Sequence, residues 1–324
     1  MPSLPIRLVN MRANETERKA GDDRSEAGRL RFHLKSSKKN AQTGYIYMAK
    51  LRAQWDHVKA VFQIRRHFKN PWLITLLRLG LIKLPYFPYR IQKGPTHYTL
   101  LARPSSTAMG DLFVLKEVLL EETYRDVLPL LNKKDIRLVD IGANLGSFTL
   151  WISKKIGIRE AFCFEPEADS FQLLNFNFYL NDLFAAKTLE CAVGGEERTI
   201  KLALRKANPA ATSIYEDIIT SPTDTGITRS VPVVSLANWS HGVDGHFDLL
   251  KVDCEGAEWE IVRKTDPQIF TRFGVIVAEV HDDPEHKQPV SEFKKLVEHL
   301  GYRTVRSDDR VQGLYIGVRN DSGS

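Results

Sequence analysis

The chain has 324 residues, 43% hydrophobic and 27% charged, an ordinary globular composition long enough for one large domain or two small ones. Cys163, Cys191 and Cys254 are far apart and form no CxxC pair, which excludes a disulfide-framed module and a cysteine zinc site and points to a reducing, cytoplasmic setting. The net charge of +6 is uneven: residues 1–69 carry 16 Lys/Arg against 6 Asp/Glu, and the rest carry 30 against 34.

In chain order, residues 1–44 form a basic leader without sustained periodicity, expected to be disordered. It has no apolar core of the secretory type, so no export signal is expected, and Met48 offers an alternative start. Residues 45–107 read as a helical N-terminal segment. Met48, Leu51, Trp55, Val58 and Phe62 recur at amphipathic spacing, and Pro71 opens a short apolar helix that Pro85 stops. The apolar stretch from Trp72 to Leu84 is too short to span a bilayer and contains Arg78 and Lys83. It could lie on a membrane surface, although packing on its own domain is the commoner fate.

Residues 108–319 alternate strands and helices, the signature of an α/β domain with a mostly parallel sheet, and 320–324 are a tail. The expected order is a strand at 136–142, a helix at 147–156, a strand at 159–166 and a helix at 167–180. A third strand follows at 188–194, then antiparallel TIKLAL and VPVVSL around a polar loop. The parallel pattern resumes with FDLLKVD and VIVAEVH, followed by a helix at 291–300 and two closing strands.

Three constellations carry chemistry. Asp140-Ile-Gly142-Ala-Asn144-Leu-Gly146 lies between a buried strand and a helix, where glycines let the backbone approach a ligand. The acidic residue before the turn would repel a pyrophosphate but attract an ammonium and a sulfonium. S-adenosyl-L-methionine carries both. Glu165, 19 residues after Gly146 at the tip of the next strand, suits both ribose hydroxyls. Lys251-Val-Asp253-Cys-Glu255-Gly256-Ala-Glu258 ends the fourth parallel strand. The buried lysine there needs a partner, for which Glu279 is the candidate. Asp253, Glu255, His281 and Asp282 emerge at the carboxyl edge, where open α/β sheets bind ligands. Asp253 beside His281 makes a candidate acid–base pair. An unperturbed histidine near pKa ~6.5 suits proton removal, while position favours Asp253. No metal set is assigned, and a divalent cation on Asp253, His281 and Asp282 is an alternative activator.

The run DIGANLGSFTLWISKK…AFCFEPEADSFQLLNFNFYLN…LLKVDCEGAEWEIV…AEVH resembles the FkbM family of S-adenosylmethionine (SAM)-dependent methyltransferases, over about Asp111 to Val318. Phe171, Leu174, Asn177 and Asn181 fit its pattern, whereas Cys254 replaces a commoner aliphatic residue. The resemblance implies a Rossmann-like class I fold with a seven-stranded sheet and helices on both faces. It implies SAM as methyl donor, and O-methylation of a hydroxyl on a small molecule, glycan or natural product. It also implies that the segment around Asp111, Glu117 and Tyr124 covers the cofactor. The rival functions are a nucleic-acid methyltransferase, disfavoured by the acidic body and the missing Asn-Pro-Pro-Tyr turn, and a non-catalytic SAM-binding protein. The sequence leaves oligomeric state open.

Overall fold

A computed structural model describes residues 66–104, 110–205, 224–281, 283, 288–308 and 313–320. The expected leader, the helix around 48–62 and Asp282 lie outside the described residues.

Seven strands form the central sheet. β3 (Ile136–Ile141) and β9 (Phe247–Val252) lie at its middle, flanked by β4 (Ile158–Phe164) and β5 (Ala186–Leu189) on one side. On the other side are β10 (Phe273–Val280), β12 (Gly313–Arg319) and β11 (Tyr302–Ser307). All neighbours pair in parallel except β12, which is antiparallel to β10 and β11. The central strands are nearly continuous apolar runs because both faces are covered. Strand periodicity sends Leu138, Leu249 and Val275 to one core and Val139, Leu250 and Ile276 to the other.

The first core packs under α3 (Ser147–Ile156) and α4 (Ala168–Leu180), with Trp151 and Leu174 fully buried. The second lies under α5 (Leu236–His241), α6 (Glu258–Lys264) and α8 (Val290–His299). There Trp259 packs edge-on to Phe293 with centroids 5.3 Å apart. Two short helices, α2 (Asp111–Leu115) and α7 (Pro267–Phe270), complete the α layer.

Three expectations change. The segment before the sheet is only partly helical: α1 (Pro71–Arg78) is followed by an antiparallel hairpin, β1 (Phe87–Lys93) and β2 (Thr96–Ala102). Phe87, Tyr89 and Ile91 alternate buried with exposed neighbours, and Gly94 at φ +59° opens the two-residue turn. The hairpin leans on α4 through side-chain amides. Asn177 accepts from the Leu101 N–H (2.6 Å) and donates to its carbonyl (3.1 Å), and Asn181 does the same for Thr99 (3.2 and 2.7 Å). Each asparagine thus substitutes for a strand residue along the edge of β2.

The third expected strand is broken. β5 ends at Leu189, and β6 (Ala192–Gly194) joins a separate three-stranded sheet with β7 (Arg198–Arg205) and β8 (Asp224–Ser235). The β7–β8 pairing is antiparallel, with Thr199 opposite Pro232. Finally, Lys251 does not pair with Glu279. The parallel register of β3 and β9 places it opposite Asp140.

Candidate active site

The turn after β3 places Gly142 (φ +74°) against the tip of β9, where a Cβ would collide with the Asp253 carbonyl. Gly146 (φ +80°) begins α3, and a Cβ there would lie 2.5 Å from Phe178 and 2.7 Å from Leu174. Gly142 therefore fits the strands together, whereas Gly146 fits α3 against α4. Between them, Asn144 adopts a left-handed φ of +49°.

Glu165 closes this turn from β4. Its Oε2 accepts the Asn144 N–H at 2.7 Å and its Oε1 the Glu167 N–H at 2.8 Å. Burial pushes its carboxyl up to about 7, against the pull of those two N–H groups. Glu167 caps α4 by accepting from Asp169 and Ser170, and it pairs with Arg103 at 3.2 Å. Arg103 also donates to Asp111 and Ser170, which joins the hairpin, α2 and α4 at one point.

Asp140 is placed differently from the sequence reading. Its carboxylate is fully buried beneath the turn, where Oδ2 accepts from Thr149 Oγ1 (2.6 Å) and Oδ1 faces Lys251 Nζ (3.2 Å). Its charge is met inside the protein by Lys251 and by the Thr149 hydroxyl. Lys251 also contacts Asp253 Oδ2 (3.3 Å) and donates to the Gly142 carbonyl (2.7 Å). Burial opposes its charge, but the Asp140 and Asp253 carboxylates outweigh it and hold the ammonium above its ordinary range. The lysine thereby fixes Asp253 at the end of β9.

The next turn is built around buried Glu258. Its Oε1 accepts from the Cys254 N–H (2.7 Å) and its Oε2 from the Gly256 N–H (2.8 Å), which holds Glu255 at φ +55° and Gly256 at φ +112°. Glu258 Oε1 also meets His281 Nδ1 at 3.1 Å, while His281 Nε2 lies 3.8 Å from Glu255. Burial disfavours the imidazolium, but Glu258, then Asp253 and Glu255, push His281 up to about 10. The expectation of an unperturbed histidine is corrected: the carboxylates around this ring favour its charged form. Burial and Glu258 likewise raise the Cys254 thiol well above its ordinary value.

Asp253, Glu258 and His281 bring potential metal-binding atoms within 4.8 Å of one another. Within this cluster Glu258 also accepts the Cys254 and Gly256 N–H groups.

Sequence reasoning missed the role of Glu279. Tyr124, fully buried before the sheet, donates to Glu279 Oε2 at 3.1 Å. The Asp253 charge, followed by burial, pushes Glu279 up to about 8. Burial and the Asp253 charge also raise Glu117 above its usual range. The available signal was the acidic residue in AEVH, two positions past the β10 residue that pairs with Lys251.

A cleft opens at the carboxyl edge between these turns. Gly142, Asn144, Phe164, Glu165, Cys191, Val193, Asp253 and Glu255 are among its lining residues. The methyltransferase FkbM domain matches residues 140–304, the span that supplies all of them. The chain belongs to the FkbM methyltransferase family. Its cofactor is S-adenosyl-L-methionine, the methyl donor of such enzymes.

Methyltransferase 1 of Beauveria bassiana (strain ARSEF 2860) is 26% identical to this FkbM-family chain over 221 residues, covering 63% of the chain and 86% of that protein. Methyltransferase sdnD of Sordaria araneosa is 27% identical over 226 residues, covering 62% and 84%. Among solved structures, a methyltransferase FkbM from Methylobacillus flagellatus KT aligns at 12% identity and a TM-score of 0.38, covering 57% of this chain and 43% of that one.

Proposed function

We propose that the protein transfers a methyl group from SAM to a hydroxyl of a sugar, glycan or other small natural product. The observation that carries this reading is Asp253, held by Lys251 at the lip of the cleft whose opposite wall presents Glu165.

The lining of the cleft fits the cofactor. Asn144 Oδ1 is buried with no hydrogen-bond partner among the described residues, an acceptor available to a polar ligand. Glu165 retains a free acceptor position on each oxygen for the ribose hydroxyls. Phe164, Pro166 and Val193 offer apolar surface to a nucleobase. When bound, SAM supplies a methyl group made electrophilic by its sulfonium.

An alkyl hydroxyl is a weak nucleophile at neutral pH, so the protein must orient it and accept its proton. Asp253 is the proposed proton acceptor, at its carboxylate oxygens. Lys251 keeps that carboxylate in place, and Glu279, tied to Tyr124 and held above its ordinary range by the Asp253 charge and burial, resists placing a second negative charge beside it. His281 is a positioning residue, acting through Glu258 on the backbone of the 254–256 turn. Glu255, 3.8 Å from His281, stands at the same lip and would orient the acceptor.

Transfer of labelled methyl from SAM into a fractionated cell extract tests the reading. Label in an alkali-stable methoxy group of a small molecule or glycan supports it. Label confined to RNA or DNA, or no transfer in any fraction, would refute it.

A further inference from the structure

The N-terminal part of the described chain carries a second surface that the methyl-transfer reading does not use. α1 is anchored by Ile74 (1% exposed) and Leu77 (5%) in the core that also holds Phe68, Tyr89 and Tyr98. On the other side, Trp72 (69% exposed), Leu76 (37%) and Leu79 (65%) recur at i, i+4 and i+7, one stripe of the helix. Leu81, Leu84 and Tyr86 continue the exposed apolar surface after the helix. Half of the large hydrophobic residues exposed among the described residues fall between positions 72 and 86. Scattered exposed leucines are normal, but such a concentration marks a docking surface.

Charge identifies what docks. Residues 66–104 contain seven Lys/Arg and no Asp/Glu. Arg103 and Lys93 are neutralised by Asp111, Glu167 and Glu122. Arg66, Lys69, Lys83 and Arg90 are exposed and have no ion pair among the described residues. A second copy would set these cations against their own kind, since a two-fold interface pairs a patch with itself. A surface apolar within and anionic at its rim satisfies both features. With eight residues, α1 is too short to cross a bilayer and long enough to lie in the headgroup layer.

We propose that α1 and the 79–86 segment form a peripheral docking site for an anionic lipid surface, with Trp72, Leu76, Leu79 and Leu81 entering the interface and Lys69 and Lys83 meeting the headgroups. Because β2 is fastened to α4 by Asn177 and Asn181, docking would hold the catalytic domain at the membrane. The proposal is independent of which hydroxyl is methylated.

The test is co-sedimentation of the full chain with phosphatidylcholine vesicles containing about one third phosphatidylglycerol, compared with phosphatidylcholine alone. The full chain should bind the anionic vesicles at least about tenfold more tightly, and the difference should collapse in high salt. Leu76→Asp/Leu79→Asp should weaken binding on the order of tenfold or more while SAM affinity stays unchanged. Lys69→Gln/Lys83→Gln should weaken it by roughly fivefold per charge. If the double leucine variant loses SAM binding, Leu81→Asp, further from the core, replaces it. Failure of the full chain to sediment, or leucine variants that bind like it, would overturn the proposal. So would a dimer in sedimentation velocity that the leucine variant dissociates without any vesicle binding, since a second copy would then own the surface.

Discussion

Glu165→Gln separates charge from shape at the proposed ribose site. In the protein, Glu165 accepts one backbone N–H on each oxygen, leaving one further acceptor position on each. Raising its carboxyl from 4.5 to about 7 corresponds to about 3 kcal/mol of resistance to ionisation, set mainly by burial. Glutamine keeps the volume but turns an NH₂ toward one of those N–H groups and removes the charge. A hydrogen bond to a charged group contributes about 1.5–3 kcal/mol, so the variant should bind SAM roughly 10–150-fold more weakly at about pH 8.5. The direction of the pH effect follows from the raised value. Above about 7 the wild-type carboxylate is ionised and the gap is full; below about 7 it protonates, accepts less well, and the gap narrows. Calorimetric titration at about pH 6 and about pH 8.5 reads both effects. Equal affinities at high pH in a folded variant would remove Glu165 from the ribose. A gap that does not narrow at low pH would show that charge is not its cause.

Four further outcomes follow from the same geometry. Asp253→Asn should lower the single-turnover methyl-transfer rate by about 10²-fold or more with SAM affinity nearly unchanged; a wild-type rate would exclude Asp253 as proton acceptor. Lys251→Met leaves the Asp140 carboxylate buried without its cation, and urea titration should show a loss of about 3–5 kcal/mol. Gly142→Ala combines an unfavourable φ with a collision against the Asp253 carbonyl, and should cost about 2–4 kcal/mol in the same assay. His281 is raised from 6.5 to about 10, so its charged pairing with Glu258 stabilises the fold fully below about 6.5 and is lost as pH rises through about 10. The melting advantage of wild type over His281→Gln should therefore shrink across that interval, and an advantage that grew with pH would contradict the assignment.

Much of the parallel sheet was legible because β3, β9 and β10 are apolar runs punctuated by glycine and acidic residues at their carboxyl ends. Those ends also bring Glu165, Asp253 and Glu255 to the wall of one cleft, with His281 beside Glu255. The hairpin was not legible as such: its alternation of Phe87, Tyr89 and Ile91 follows an apolar helix and contains Pro88, which reads against a strand. Pairing was the other blind spot. Strand periodicity shows that Lys251 is buried, but only the register between strands shows that Asp140 and not Glu279 lies beside it. That pairing matters to the chemistry, because it sets Asp140 against Lys251 and leaves Glu279 to be raised by Asp253. The behaviour of His281 was hidden for the same reason: the perturbing Glu258 lies on a different element, 23 residues away.

The most direct test of the central claim is ultraviolet crosslinking of labelled SAM to the purified protein, with the modified peptides identified by mass spectrometry. The account predicts label on the cleft wall, in peptides containing residues 142–144, 164–170 or 191–193, competed away by S-adenosylhomocysteine. Label elsewhere on the chain, or label insensitive to the competitor, would contradict it.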